Sequence, residues 1–150
     1  MVCLGNICRS PLAEGIMRHL IVERGLADQL MVDSCGTGSW HAGEAPHHGS
    51  QQVAVSHGLD ISQQRSRQLQ QSDINQFDWL IAMDRSNFNG IKRLDRNGEK
   101  EERIVMLLDY AGPNTPADVP DPYYEGGFER VYDVIYEGCE GLLDHIVDNS

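Results

Sequence analysis

Residues 3–11 read Cys-Leu-Gly-Asn-Ile-Cys-Arg-Ser-Pro and combine a thiol, a guanidinium group and a helix start in one short loop. The segment between Cys3 and Arg9 is long enough to wrap around a tetrahedral dianion, with backbone N–H groups pointing inward and the guanidinium closing the ring. Gly5 permits close approach of the backbone, and Asn6 tolerates a left-handed conformation. This segment therefore predicts a phosphate-binding loop that needs no metal ion.

Cys3 is the candidate nucleophile of this loop. Ser10 is a preferred N-cap and Pro11 a preferred first helical residue, so a helix is expected to begin here. Its positive end and the Arg9 charge would both stabilise a thiolate at Cys3. Cys8 has no evident role in displacement, and we interpret it as a disulfide partner available to an oxidised Cys3. The alternative for the whole segment is an ordinary strand-to-helix turn with a buried cysteine.

The loop resembles that of the low-molecular-weight protein tyrosine phosphatases. Four further segments carry the resemblance in the family's order: Ser34-Cys35-Gly36-Thr37-Gly38-Ser39-Trp40, His57-Gly58, Ala82-Met83-Asp84-Arg85-Ser86-Asn87 and Asp121-Pro122-Tyr123-Tyr124. The resemblance implies one phosphatase domain over residues 1–150 that hydrolyses phosphotyrosine monoesters through a phosphocysteine at Cys3, without a metal ion or other cofactor. It also implies that Arg9 is catalytic and that the phosphate contacts are Leu4, Gly5, Asn6, Ile7, Cys8 and Ser10.

The resemblance identifies Asp121 as the general acid for the departing phenolate. Asp121 lies in the proline-rich stretch 112–122, which excludes a helix or a central strand and predicts a surface loop. The residues alone do not distinguish Asp121 from Asp118 or Asp109, any of which could be a solvated turn residue.

The resemblance also implies supporting residues around the loop. Asn6, Ser10, Ser34 and His57 match a hydrogen-bond network that holds the phosphate loop, while Trp40, Tyr123 and Tyr124 match aromatic walls of a substrate cleft. From the residues alone, we interpret His57 as a helix C-terminal histidine before the Gly58 cap, and Ser34 as a strand-end hydroxyl. Trp40 could likewise be a surface anchor, and the two tyrosines could pack under the last helix.

Three other functions share parts of this pattern. An arsenate reductase would need resolving cysteines downstream, whereas Cys35 and Cys139 are predicted to be buried spectators in a strand and the final helix. Protein arginine phosphatases resemble the family but carry threonine at the position of Ile7 and lack the paired tyrosines. A phosphate-binding module without activity would lack a nucleophile or an acid, and Cys3, Arg9 and Asp121 are all present.

The charge, the apolar segments and the cysteine content of the chain indicate which partners and which cellular compartment to expect. A formal net charge of −11 provides no basic stripe for nucleic acid and repels anionic membranes. No apolar run approaches membrane-spanning length, and nothing resembles a signal peptide. Four cysteines without a disulfide framework indicate a reducing cytoplasm. The expected partners are phosphotyrosine proteins, and the expected state is a monomer or a weak self-associating species.

Histidines are common in this chain, but their spacing does not predict a metal site. His41, His47 and His48 cluster near Glu44, and they lack paired cysteine or carboxylate ligands at zinc-like spacing. We therefore expect no metal, and interpret these histidines as solvated loop and helix-start residues.

The order of apolar segments predicts an α/β fold. Helices are expected from Ser10 to Gly25 and over residues 47–57, 85–94 and 127–147. Strands are expected to end at Cys3, to begin at Leu30, and to cover 77–82 and 104–108. This alternation predicts a three-layer structure: a four-stranded parallel sheet with helices on both faces and the phosphate loop at the end of the first strand. Only two residues precede Cys3, so we expect either that the natural chain begins before Met1 or that the central strand is truncated.

Overall fold

The polypeptide forms a four-stranded parallel sheet with helices on both faces, as predicted. The computed structural model describes residues 1–149. The strands are β1 (Val2–Cys3), β2 (Cys35–Gly36), β3 (Leu80–Ala82) and β4 (Ile104–Met106). The helices are α1 (Arg9–Glu23), α2 (His48–Ser56), α3 (Gln71–Gln76), α4 (Arg85–Leu94), α5 (Pro122–Glu125) and α6 (Phe128–Asp148), with 3₁₀ turns at Glu101–Arg103 and Leu107–Tyr110.

Strand β1 lies inside the sheet although it has only two residues. The strand order is β2-β1-β3-β4, and Val2 is in register with Cys35 on one side and with Ala82 on the other. Because all strands are parallel, their carboxyl ends share one edge of the sheet. The loop after Cys3 therefore opens beside the segments that follow β2, β3 and β4.

Alternating side chains of the strands divide the core between the two faces of the sheet. Cys3 and Ile81 lie in the cluster that α1 and α6 cover, whereas Val2 and Leu80 lie in a second cluster that includes Ile91 of α4. Both faces are thus buried, as a parallel sheet requires.

Several local expectations are corrected by the structure. Helix α1 begins at Arg9 with Cys8 at the N-cap, so Ser10 lies inside the helix and does not cap it. The strand expected from Leu30 is absent, and residues 30–34 have no regular structure. Pairing explains this difference, because the two residues of β1 offer partners only to Cys35 and Gly36. Helices α3 and α5 were not predicted, since neither is long enough to show an apolar period.

Helix α6 packs along α1 and also against the 3₁₀ turn at Leu107–Tyr110. The close approach needs small residues: a Cβ added at Gly141 would collide with the Tyr110 carbonyl oxygen, and one at Gly138 would lie 2.8 Å from Leu107 Cγ. Within residues 1–149, no helix has both the length and the apolar character needed to span a membrane.

The contact at Gly141 predicts a stability effect. Gly141→Ala should lower the free energy of unfolding by about 1–3 kcal/mol, because overpacking forces α6 away from Tyr110. Thermal unfolding should show a midpoint lower by roughly 2–4 °C per kcal/mol. Glu140→Ala, at the exposed neighbouring position of α6, is the matched control and should leave the midpoint nearly unchanged. Equal midpoints for the two variants would show that the packing at Gly141 is not tight.

Candidate active site

The loop between β1 and α1 (residues 3–9, the phosphate loop below) is anchored through its carbonyl oxygens. The carbonyls of Cys3 and Leu4 accept from the backbone N–H groups of Thr37 and Gly38, each at 2.9 Å. Three further donors bind loop carbonyls. The His47 backbone N–H donates to the Ile7 carbonyl at 2.8 Å, Ser66 Oγ to the Gly5 carbonyl at 2.9 Å, and Ser50 Oγ to the Cys8 carbonyl at 3.0 Å.

These outward carbonyls fix where the N–H groups point. No cis peptide occurs in the described residues, and across a trans peptide the C=O and the following N–H point in opposite directions. The N–H groups of residues 4, 5, 6, 8 and 9 therefore face the inside of the loop. Ser50 and Ser66, both buried, provide two of the anchors, and nothing in the sequence pattern had indicated them.

Asn6 stabilises the tight curvature of the phosphate loop through its backbone conformation and its side-chain hydrogen bonds. Its φ of 56° is left-handed, as the sequence predicted, and its side chain is 3% exposed. The Nδ2 group donates to Ser10 Oγ at 2.8 Å and to Ser34 Oγ at 3.0 Å, while Oδ1 accepts from the Arg67 backbone N–H at 3.1 Å. Asn6 and Ser10 thus brace the loop from outside the cavity described below.

Glu14 completes this network, and sequence reasoning missed it. Ser34 Oγ donates to Glu14 Oε1 at 2.7 Å, and Glu14 also pairs with Arg18 at 3.0 Å. Glu14 is a buried carboxylate on α1, a helix whose other buried residues are mostly apolar. That polar position on a buried helix face was the available signal, because a buried charge requires partners.

The structure does not place His57 in the loop network, which corrects the expectation drawn from the resemblance. His57 is the C-cap residue of α2, its Nε2 lies 2.7 Å from Glu129 Oε1, and its ring stacks on Tyr132. The reading from the residues alone, a histidine at a helix C-terminus before Gly58, agrees with this position.

Cys3 and Cys8, the two thiols of the phosphate loop, have different surroundings. Cys3 Sγ lies 3.0 Å from Ser10 Oγ and 3.2 Å from the Asn6 backbone N–H, two donors that would stabilise a thiolate. Burial, together with the charges of Cys3 and Asp121, raises the pKa of Cys8 to about 12. Cys8 therefore stays a neutral thiol at pH 7, although it lines the same cavity.

Arg9 is buried and held in place by two acceptors at the edge of the sheet. It is 3% exposed, and its Nη1 donates to Asp84 Oδ2 at 2.6 Å and to the Val119 carbonyl at 3.1 Å. Burial opposes its charge, but Cys3, Asp84 and Asp121 outweigh burial and raise the pKa of Arg9 above its ordinary value. Arg9 is thus a fixed cation beside Cys3.

Asp84 connects Arg9 to β3 and α4. It follows the end of β3 and caps α4, where its Oδ1 accepts from the Asn87 N–H at 2.8 Å while Oδ2 holds Arg9. Asp84 belongs to one of the segments that carry the family resemblance, but no role for it was predicted.

Geometry separates Asp121 from the other two candidate acids. Asp121 Oδ2 lies 3.5 Å from Arg9 Nη2, and Oδ1 caps the short helix α5 by accepting from the Tyr123 N–H at 3.1 Å. Asp118 instead accepts from the Arg85 N–H at 3.0 Å, and Asp109 is exposed in a 3₁₀ turn. Among the three, Asp121 reaches the cavity.

The phosphate loop forms the floor of a cavity of about 360 Å³ with aromatic walls. The exposed walls are Trp40, Tyr123 and Tyr124, which are 71%, 45% and 82% exposed. The lining residues are Cys3, Leu4, Gly5, Ile7, Cys8, Arg9, Trp40, His41, Asp121, Tyr123 and Tyr124.

His41 is a lining residue that the sequence analysis had assigned to a solvated loop. Its Nδ1 pairs with Glu44 at 2.9 Å, and its ring lies 5.9 Å from that of Tyr123. A Cβ at Gly5 would come within 3.0 Å of the His41 ring, so glycine at that position allows the contact.

Comparison with known proteins agrees with this geometry. A profile of the low molecular weight phosphotyrosine protein phosphatases matches residues 1–150. The chain belongs to that family. Its activity is therefore that of a protein tyrosine phosphatase, which hydrolyses phosphotyrosine in proteins.

Individual relatives extend over nearly the whole chain. The chain is 43% identical to YfkJ of Bacillus subtilis, covering 97% of this chain and 92% of that protein, and 42% identical to PtpA of Staphylococcus aureus, covering 99% and 93%. The crystal structure of YfkJ superimposes with a TM-score of 0.92 over 99% of this chain and 93% of that one. A Drosophila arginine phosphatase, 35% identical, superimposes with a TM-score of 0.87 over 97% and 94%.

The contact between Asp84 and Arg9 predicts a kinetic effect. Asp84→Asn should lower kcat/KM for a phosphotyrosine peptide by about 10–100-fold, because a hydrogen bond to a charged group contributes roughly 1.5–3 kcal/mol. Asparagine is also a good N-cap, so α4 should remain folded. Steady-state kinetics and circular dichroism test both statements. An unchanged kcat/KM would show that Arg9 keeps its orientation without Asp84.

Proposed function

We propose that Cys3, Arg9 and Asp121 carry out phosphotyrosine hydrolysis in this protein. The proposal is based on one observation. The Cys3 thiol and the Arg9 guanidinium group line the same cavity as the Asp121 carboxyl group, which comes from a distant segment of the chain. The inward N–H groups of the phosphate loop lie on the same floor. Together they offer a nucleophile, a phosphate site and a proton donor.

In the first step, Cys3 Sγ attacks phosphorus and the bond from phosphorus to the tyrosyl oxygen breaks. Asp121 donates its proton to that oxygen, so tyrosine leaves as the neutral phenol. Arg9 and the loop N–H groups stabilise the three equatorial oxygens, where negative charge accumulates. The product is a phosphocysteine at Cys3.

In the second step, water attacks the phosphocysteine. Asp121, now a carboxylate, takes a proton from the water, and Cys3 leaves as a thiolate while inorganic phosphate forms. Ser10 Oγ and the Asn6 N–H, both within hydrogen-bond distance of Sγ, stabilise the returning charge. The loop is thus ready for the next substrate.

The aromatic rim supports tyrosine as the phosphorylated residue. Trp40 and Tyr123 both line the cavity and suit a flat phenyl ring, and Asp121 Oδ2 lies 3.5 Å from Arg9 Nη2, next to the proposed phosphate site. Likeness to an arginine phosphatase makes phosphoarginine the second candidate substrate. Ile7 and the Tyr123–Tyr124 pair favour phosphotyrosine, since the family resemblance leads us to expect threonine at the position of Ile7 in an arginine phosphatase.

We also propose a domain extent, a cellular compartment and an oligomeric state for this phosphatase. Residues 1–150 form one phosphatase domain, which acts on phosphotyrosine proteins in the cytoplasm, where Cys3 stays reduced. All four cysteines are free, which supports that compartment. The exposed rim of Leu4, Trp40, Tyr123 and Tyr124 supports a monomer with weak self-association.

Single-turnover hydrolysis tests the assignment. Cys3→Ser should abolish hydrolysis of phosphotyrosine peptides, and Asp121→Asn should slow it by about 10²–10⁴-fold. Because the acid serves the leaving group, the loss in Asp121→Asn should shrink for p-nitrophenyl phosphate, whose phenolate leaves without a proton. Asparagine still caps α5, so the variant keeps the local fold.

Asp118→Asn is the matched control, since Asp118 lies in the same loop and binds the Arg85 N–H. It should retain the wild-type rate. An equal loss in both aspartate variants would contradict the role of Asp121. Faster turnover of phosphoarginine than of phosphotyrosine, or reduction of arsenate, would contradict the substrate class.

A further inference from the structure

Three metal-ligating side chains meet on the surface outside the catalytic cavity. One ligand atom each of His57, Glu129 and Asp133 lies within 4.8 Å of the other two. None of the three lines the cavity that holds Cys3. The phosphatase mechanism makes no use of them.

The fold creates this cluster from two helices. His57 ends α2, and Glu129 and Asp133 are one turn apart on α6, so both carboxylates project from the same side of that helix. The His57 ring is fixed by stacking on Tyr132, with centroids 3.8 Å apart and planes 10° apart. Sequence spacing predicted no metal site because His57 and Glu129 are 72 residues apart.

Among residues 1–149, no lysine or arginine forms a salt bridge with Glu129 or Asp133. Glu129 pairs with His57, and no salt bridge links Asp133 to any residue within 1–149. Two carboxylates beside an imidazole therefore favour a bound cation.

Space is available for further ligands beside the cluster. A cavity of about 370 Å³ adjoins His57 and Asp133 and is lined by His19, His57, Leu59, Tyr132, Asp133 and Tyr136. Water molecules in it could complete the coordination of an ion, as they do where a protein supplies only three ligands.

We propose that His57, Glu129 and Asp133 bind a divalent transition-metal ion of the zinc type. His57 Nε2 and one oxygen from each carboxylate are the ligands, and water fills the remaining position. The imidazole distinguishes this set from the all-oxygen sites that magnesium and calcium prefer. The ion takes the place of the His57–Glu129 hydrogen bond and links the end of α2 to the first turns of α6.

Zinc titration of the full chain tests this proposal. Calorimetry is done on Cys3→Ser, because a reactive thiol binds zinc by itself. We expect one zinc ion per chain in Cys3→Ser, and loss of that ion when His57→Ala or Asp133→Asn is added. Zinc should also raise the thermal midpoint of Cys3→Ser, since an ion that binds only the folded chain stabilises it. Asp133→Asn should remove this rise.

Matched controls come from α6 itself. His145→Ala and Glu140→Gln replace a histidine and an exposed carboxylate of that helix and should keep the zinc ion and the thermal shift. Thermal midpoints without zinc check folding, and Asp133→Asn should match its parent because Asp133 is exposed and forms no salt bridge within residues 1–149. With Cys3 present, both site variants should hydrolyse p-nitrophenyl phosphate at the wild-type rate.

Two results would overturn the proposal. One is the absence of zinc binding in Cys3→Ser. The other is zinc binding that persists unchanged in both His57→Ala and Asp133→Asn, which would place the ion elsewhere on the chain.

Discussion

The buried guanidinium of Arg9 is the group around which the catalytic end of the sheet is arranged. A charge at 3% exposure is costly unless it is paired and hydrogen-bonded, and Arg9 finds Asp84 after β3 and the Val119 carbonyl in the long loop after β4. The start of α1, the end of β3 and the loop that carries Asp121 are thereby held in one arrangement. Arg9, which we propose binds the phosphate, therefore also holds the loop that carries Asp121, the proposed acid.

A second constraint is the direction of the loop carbonyls. Five of them are bound by outer scaffold donors, among them the hydroxyls of Ser50 and Ser66, so the loop can present its N–H groups to an anion before any substrate arrives. Asn6 in the left-handed region completes the curl. The side-chain and backbone contacts around the loop thus position it in addition to the sheet ladder.

Sequence reasoning was strongest where chemistry is local. The thiol of Cys3, the charge of Arg9, the left-handed Asn6 and the helices over residues 47–57 and 85–94 follow from nearby residues, and the structure agrees with them. It was weakest where a role depends on a distant partner. Asp84, Glu14 and Ser50 act through residues far along the chain, and a single sequence does not show such pairings.

The same limit explains the errors. Serine is a preferred N-cap residue, but the Ser10 hydroxyl forms hydrogen bonds with Cys3 Sγ and Asn6 Nδ2 instead. Helix α1 begins at Arg9, one residue before Ser10. The apolar run from Leu30 suggested a strand, but β1 offers no partner for it. The family resemblance placed His57 beside the loop, whereas its ring pairs with Glu129 on α6.

In the proposed mechanism, Cys3 receives the phosphoryl group, whereas Cys8 in the same loop takes no part in the transfer. Rapid acid quench of the wild-type enzyme with a phosphotyrosine peptide, followed by tandem mass spectrometry of the amino-terminal peptide, tests this claim directly. We expect a transient phosphoryl group on the Cys3 sulfur during turnover. A phosphoryl group on Cys8 or on a histidine, or turnover without any phosphoenzyme, would contradict it.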